Sequence, residues 1–278
     1  GGMIAINTET GEIFSEKQID EKLKNNAPYR EWLKESTLYV ESSLDKYEGP
    51  GLKMIGSEEF NISSKLFLLF KEERTSVIKP LSVDSQEGTG SMGDDTALAV
   101  MSKMHRQIYD YFRQQFAQVT NPPIDSLREA SVMSLETCYG PELNIFDETP
   151  DHAKRLVTTS PVLSYKKLQS IINNPYFESD EIQLEYSKKD NLRSALESLK
   201  KKIVKSVDRG NTIIHMVESL PNKNSLPINA LLAVGCVHQH LVKLGLRSKV
   251  NIVITSSSAR DTHQIACLVG FGATAVYP

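Results

Sequence analysis

Three stretches decide the fold: Thr212-Ile-Ile-His-Met-Val217, Val250-Asn-Ile-Val-Ile-Thr255 and Ala273-Thr-Ala-Val-Tyr277. Each is short, largely apolar and rich in β-branched residues. Continuous runs of that kind, bounded by turn residues, read as strands buried on both faces. Helical patterns separate them. Leu192, Leu196, Leu199, Ile203 and Val207 recur at spacings of four, three, four and four, and Gly210 stops that helix. Residues 227–244 read as a second helix, with Pro227 in its first turn and Gly245 just past its end. Ser258 reads as the cap of a third, with Asp261 as its capping-box partner and Gly270 as its stop. The order α-β-α-β-α-β with short connections is the signature of a parallel sheet with right-handed crossovers. The fold class is therefore α/β. Pro278 follows the last buried-type run directly, so a further loop and helix are expected beyond it.

Patterns are weaker toward the N-terminus. Ile108, Phe112, Phe116 and Val119 form one apolar stripe, which predicts a helix from about 97 to 119, ended by Asn121-Pro122-Pro123. Ser126 with Glu129 three residues later signals a capping box for another short helix. Leu66-Phe67-Leu68-Leu69-Phe70 predicts a short buried helix, or a strand, stopped at Lys79-Pro80. Residues 82–95 are small and polar and carry Gly88, Gly90 and Gly93, so they read as a loop. Met3–Ile6 and Glu12–Phe14 read as a β-hairpin, followed by a helix from Ser15 with Ile19 and Leu23 on one face. Gly49-Pro50-Gly51 breaks the chain and puts a domain edge between 40 and 55, dividing residues 1–45 from 46–278.

Composition sets the outer limits. The chain has 278 residues, 40% hydrophobic and 24% charged, with a net charge of −3. That excludes a collagen, a disordered tail and a disulfide scaffold, and gives no overall basic footprint for nucleic acid. Cys138, Cys236 and Cys267 are odd in number and widely spaced, as free thiols in a reducing compartment would be. The most apolar stretch, Ile228–Val237, is about half the roughly 20 residues of a membrane span. The start has no charged n-region. The expectation is a soluble, cytoplasmic protein without membrane or nucleic-acid partners. Lys200, Lys201, Lys202 and Lys205 belong mostly to the solvated side of their helix, with no aromatic platform beside them.

Each chemical motif competes with a plainer reading. His238-Gln-His240 would chelate from a strand, but i and i+2 diverge on a helix. His215 sits in a strand with no carboxylate close in sequence. Asp94-Asp95 reads better as a turn before a helix than as a metal site, and the segment lacks a Walker ending. Gly270-Phe-Gly272 precedes a strand, whereas a dinucleotide fingerprint follows one. Thr255-Ser256-Ser257-Ser258 is the most suggestive feature. It leaves a parallel strand and opens a helix, so its hydroxyls and free N–H groups could hold an anion. In barrels that end of the strands carries the active-site loops.

Longer matches are more specific. Gly90-Ser-Met-Gly-Asp-Asp-Thr-Ala-Leu-Ala-Val-Met-Ser102 resembles a signature of the glutamate synthase large chain. The resemblance continues through Tyr109-Asp-Tyr-Phe112, Phe116-Ala-Gln-Val-Thr-Asn-Pro-Pro-Ile-Asp125, Val132-Met-Ser-Leu-Glu-Thr137, Gly140-Pro-Glu142 and Ser160-Pro-Val-Leu163. It returns in Pro227 to His240, in Ala259-Arg-Asp-Thr-His263 and in Gly270-Phe-Gly-Ala273, and so covers most of residues 88–278. Met3 to Ile13, Pro28-Tyr29 and Trp32-Leu33 are similar to the end of the same family's glutamine amidotransferase domain. Residues 55–80 match least well.

The resemblance implies a non-catalytic central domain with the tail of an amidotransferase domain. Its sheet would be incomplete and related to a TIM barrel. The domain would link the glutamine site to an FMN-dependent synthase site and help enclose the ammonia route between them. The parent would make glutamate from glutamine and 2-oxoglutarate, using FMN, an iron–sulfur cluster and a reductant. That reductant would be a nicotinamide dinucleotide or ferredoxin, the electrons coming through a small electron-transfer subunit or ferredoxin. No cofactor and no catalytic residue is carried over to this chain. Position 1 is Gly rather than a nucleophilic cysteine, the three cysteines do not cluster, and no FMN phosphate loop is recognisable. The candidates for the ammonia route or an anion loop are Ser91, Asp94, Ser256, Ser258 and Arg260. The alternatives are a stand-alone barrel-like enzyme binding a small anionic metabolite at 255–260, and a free-standing interaction module.

Overall fold

The computed structural model describes residues 2–40, 56–88, 97–115 and 124–278. The N-terminal part begins with an antiparallel hairpin, β1 (Ile4–Ile6) and β2 (Ile13–Ser15), then α1 (Glu16–Lys24) and α2 (Tyr29–Ser36). Ser15 caps α1 in a capping box closed by Gln18. β3 (Thr37–Tyr39) then joins a small sheet with β4 (Thr137–Tyr139) and β5 (Arg155–Thr158), in the order β3-β5-β4. The domain edge expected between 40 and 55 falls almost wholly outside the described residues, as do Ser91, Asp94, Phe116, Val119 and Asn121-Pro122-Pro123.

The C-terminal part is the α/β unit expected. A four-stranded, all-parallel sheet runs in the order β11 (Ala275–Tyr277), β10 (Asn251–Ser256), β8 (Ile213–Glu218), β6 (Ser179–Gln183). Strand alternation sends neighbouring residues to opposite faces. Ile214, Met216, Ile252 and Ile254 pack against α7 (Leu192–Asp208), α8 (Ala230–Lys243) and α9 (Thr262–Gly270). Ile213, Val253 and Ala275 pack on the other side with Leu168 and Ile171 of α6 (Tyr165–Ile172), and with Tyr139 and Leu156 of the small sheet. Each fully buried aliphatic chain contributes roughly 1.5–3 kcal/mol, so these two layers supply most of the driving force here. β7 (Glu185–Ser187) and β9 (Ser225–Pro227) form a separate two-stranded ribbon.

Several local expectations are corrected. The apolar run 66–70 is no helix: α3 (Ser57–Leu66) ends where the run begins, and Leu68 turns through φ +51. All five residues are half-buried without a helical period. Their backbone is used instead, because the Phe67 carbonyl accepts from Gln107 Nε2 at 3.1 Å. Pro80 does not stop the chain's helical path either. A short turn, α4 (Lys71–Glu73), passes into wide turns at Arg74–Ile78 and Pro80–Asp84. The helix predicted over 97–119 is reduced, among the described residues, to one 3-10 turn at Ile108–Tyr111. Residues 102–107 before it, polar except for the exposed Met104, give a helix little apolar surface to bury, and short helices without packing are marginal. α5 (Ser126–Val132) is capped by Asp125, one residue earlier than expected, through bonds from the Leu127 and Arg128 N–H groups. Pro227 lies in β9, where no ladder donor is missed, and Asn229 caps α8. Asp261, not Ser258, caps α9.

Candidate functional site at the carboxyl end of the sheet

β8 ends on Glu218 and β10 on Ser256, neighbours in register on adjacent strands. Both side chains face the helix-covered side, and Glu218 is 1% exposed. Its carboxylate is filled with donors. Oε1 accepts the Ala230 N–H at 2.9 Å, from the first turn of α8. Oε2 accepts Ser256 Oγ at 2.8 Å and the Ser258 N–H at 2.9 Å. Its backbone carbonyl accepts both Ser257 N–H (3.2 Å) and Ser257 Oγ (2.9 Å). Those donors, one of them in the first turn of a helix, leave neither carboxylate oxygen unsatisfied.

The hydroxyl and N–H groups of the serine-rich loop are thus taken up by a carboxyl group of the chain itself. Ser256 and Ser258 are 3% and 2% exposed. Ser258 Oγ also meets the Tyr109 hydroxyl at 3.2 Å. Tyr109 is fully buried, and that burial pushes its pKa up. Arg260 continues the loop outward. Nε and Nη2 donate to the two oxygens of Glu73 at 2.8 and 2.9 Å, a fork-to-fork pair, and the guanidinium also reaches the Phe67 carbonyl.

A strap therefore lies across this end of the sheet, made of residues 67–73 and 107–112. Gln264 Nε2 is 3.5 Å from Gln107 Oε1, His263 Nε2 is 3.0 Å from the Tyr109 carbonyl, and Phe112 stacks edge-on with Phe271. Thr262 donates to Glu87. Cys267, beside His263, is pushed up to about 11 by burial, with the Asp261 charge adding to it, so it is no thiolate at neutral pH.

Of the predicted site residues, Ser256, Ser258 and Arg260 come together here, and Ser91 and Asp94 lie outside the described residues. Sequence reasoning missed Glu218, Tyr109 and Glu73. A charged residue closing an apolar strand was the available signal for Glu218. His238 and His240 share no ligand. His238 Nδ1 accepts from Arg247 Nε at 3.1 Å and backs onto Gly272. There, at φ +116, a Cβ would stand 2.3 Å from that nitrogen. Burial, then the Arg247 charge, keep His238 below its usual range and hence neutral. Among the described residues no three His, Cys, Asp or Glu side chains converge as a metal site, and no helix is long and apolar enough to cross a membrane.

On the opposite face, a second polar group crosses three strands. His215 of β8 is 4% exposed, with Nε2 2.8 Å from Thr255 Oγ1 of β10. Its Nδ1 lies 3.4 Å from Glu181 Oε2 of β6 but has no aligned hydrogen-bond partner. Burial pushes its pKa down, and Glu181 partly opposes this.

Comparison with known proteins matches residues 63–278 to the family model "Glutamate synthase central domain". Curated relatives match along the whole chain. The chloroplastic ferredoxin-dependent glutamate synthase of Spinacia oleracea is 33% identical over 286 residues, which make up 17% of that protein. The glutamate synthase [NADPH] large chain of Bacillus subtilis (strain 168) is 32% identical, with 18% of its length covered. The glutamate synthase [NADH] of Saccharomyces cerevisiae is 30% identical, with 14% covered. The chain therefore spans less than a fifth of each of these relatives.

Proposed function

Because the chain belongs to the glutamate synthase central-domain family, we propose that it works as a non-catalytic link inside a longer glutamate synthase chain. In this reading it joins a glutamine amidotransferase part to an FMN-dependent synthase part and helps enclose the ammonia route between them. Free ammonia would escape or take up a proton unless confined. FMN, the iron–sulfur cluster and the contact with a nicotinamide-linked subunit or ferredoxin then belong to the rest of the parent.

The observation that carries this reading is the closure around Glu218. α/β proteins place ligands outside the carboxyl ends of their strands. Here the donors at that end are spent on Glu218, and the strap covers them. The whole-chain match to relatives favours this reading over an independent enzyme taking an anionic metabolite at 255–260. Ser91 and Asp94 are our candidates for residues facing the ammonia route, whereas Ser256, Ser258 and Arg260 stiffen the wall beside it.

The test is to purify the 278-residue chain and follow FMN absorbance and glutamate formation from glutamine, 2-oxoglutarate and a reductant. The expected result is a colourless, inactive protein. A yellow protein with stoichiometric FMN would overturn the reading. An immunoblot of source cells should show a band several-fold larger than 31.1 kDa.

A further inference from the structure

We propose that Thr255, His215 and Glu181 form a hydroxyl–imidazole–carboxylate relay that makes Thr255 an acyl-accepting nucleophile. The inference goes beyond the linking role and stands on different residues. The three side chains come from adjacent parallel strands, β10, β8 and β6, on the face away from the Glu218 cluster.

Proton placement follows from the partners. The Glu181 carboxylate, which can only accept, lies 3.4 Å from His215 Nδ1. With an acceptor-only group on that side, the neutral ring is assigned its proton on Nδ1, within 3.4 Å of Glu181 although not aligned with it. Nε2 is left as the acceptor for the Thr255 hydroxyl at 2.8 Å. That is the polarity of a nucleophile–base–orienter triad, recognised by geometry and roles rather than by fold. A loose base-to-orienter contact is common before a substrate is bound. His215 is buried, so its imidazole is neutral and competent as a base at neutral pH. Thr255 is only half-buried, and Glu181 and Gln183, on the far side of β8, are exposed. A structural histidine could be satisfied by Thr255 alone. It would not need its other nitrogen buried beside a carboxylate and without an aligned bond.

The step balances as an acyl transfer. Thr255 Oγ attacks the carbonyl carbon of an activated ester while its proton passes to His215 Nε2. The new Oγ–C bond forms, the aryl C–O bond breaks, and the proton leaves with the released phenol.

The experiment treats the 278-residue chain with p-nitrophenyl acetate at neutral pH. Nitrophenol release is followed, and the acetylated residue is located by peptide mass spectrometry. Acetylation of Thr255 is expected. It should be lost in Thr255→Val and kept in Thr255→Ser. It should slow by roughly 100-fold in His215→Gln, the usual worth of a general base. Because His215 is buried, Glu181→Gln, at an exposed position, is the variant least able to disturb folding, and it should slow the reaction as well. Acetyl groups found only on lysines or the N-terminus would overturn the proposal. So would a rate at Thr255 unchanged in Glu181→Gln, or nitrogen NMR placing the His215 proton on Nε2. None of these results bears on whether the chain carries FMN, so this proposal and the linking role fail separately.

Discussion

Glu218 and Glu181 stand on opposite faces of one parallel sheet. Glu218 closes β8, is 1% exposed and accepts three hydrogen bonds through its two oxygens. Glu181 lies on the edge strand β6 with its side chain 58% exposed, and faces an imidazole nitrogen it does not quite reach. The first carboxylate is part of the architecture, and everything around it has been committed. The second belongs to a group with capacity left over. A buried polar group is tolerable only where every partner is fixed, so the closed site is the rigid one. The open site is where chemistry has room.

Removing Glu218 is the strongest way to break that comparison. Glu218→Ala leaves the Ala230 and Ser258 N–H groups and the Ser256 hydroxyl without their acceptor. The expected loss is about 3–5 kcal/mol, read as the shift in urea midpoint at constant slope. A loss below about 1 kcal/mol would mean that water replaces the carboxylate and that the site is not closed. Next comes Arg260→Ala, which strands Glu73 in the strap. A loss of about 2–3 kcal/mol is expected, with faster hydrogen exchange in residues 67–73 and 107–112 and unchanged exchange in the parallel sheet. Exchange rising equally in both regions would show that the strap and sheet are one cooperative unit. Tyr109→Phe removes one buried hydrogen bond to Ser258 and should cost about 1 kcal/mol by thermal or urea unfolding.

Glu181→Ala should be the mildest at neutral pH, within about 0.5 kcal/mol, because its side chain is exposed. Its effect appears on acidification. His215 has a folded pKa below its ordinary 6.5, so the unfolded chain binds the proton more readily. The stability it contributes is complete above 6.5 and is lost as the pH falls toward the folded value. Without Glu181, which raises that value, the loss extends to lower pH. Unfolding curves for the two proteins should therefore coincide near pH 8 and diverge toward pH 4. Coincidence throughout would show that Glu181 does not act on His215.

The sequence was readable where partners are near. The runs 212–217, 250–255 and 273–277 became β8, β10 and β11 with small changes of boundary, because apolar β-branched runs have few alternatives. β6 escaped notice because Ser179-Asp-Glu-Ile-Gln183 has the polar composition of an edge. Residues 66–80 and 97–111 differ from their sequence pattern because their conformation answers to distant groups. The break at Leu66 presents the Phe67 carbonyl to Gln107, and the turn at Ile108–Tyr111 delivers Tyr109 to Ser258. The loop after β10 shows the same competition at short range. Ser258 and Asp261 are both good helix caps, and Ser258 is already engaged by Glu218 and Tyr109, so the helix starts at Asp261. Only the charge at the end of its strand marks the convergence on Glu218, since its partners come from two other segments, Ala230 and residues 256–258.

The strap also sets an order of events during folding. Glu218 and Ser256 are 38 residues apart, whereas Tyr109 and Ser258 are separated by 149 and Glu73 and Arg260 by 187. Contacts of short separation close early, and those of long separation wait for the surface they need. On a ribosome the strap emerges well before its docking site. Throughout that interval the Phe67 carbonyl and the Glu73 carboxylate are without the Arg260 guanidinium. The contact that seals the finished molecule is thus the one for which the growing chain waits longest.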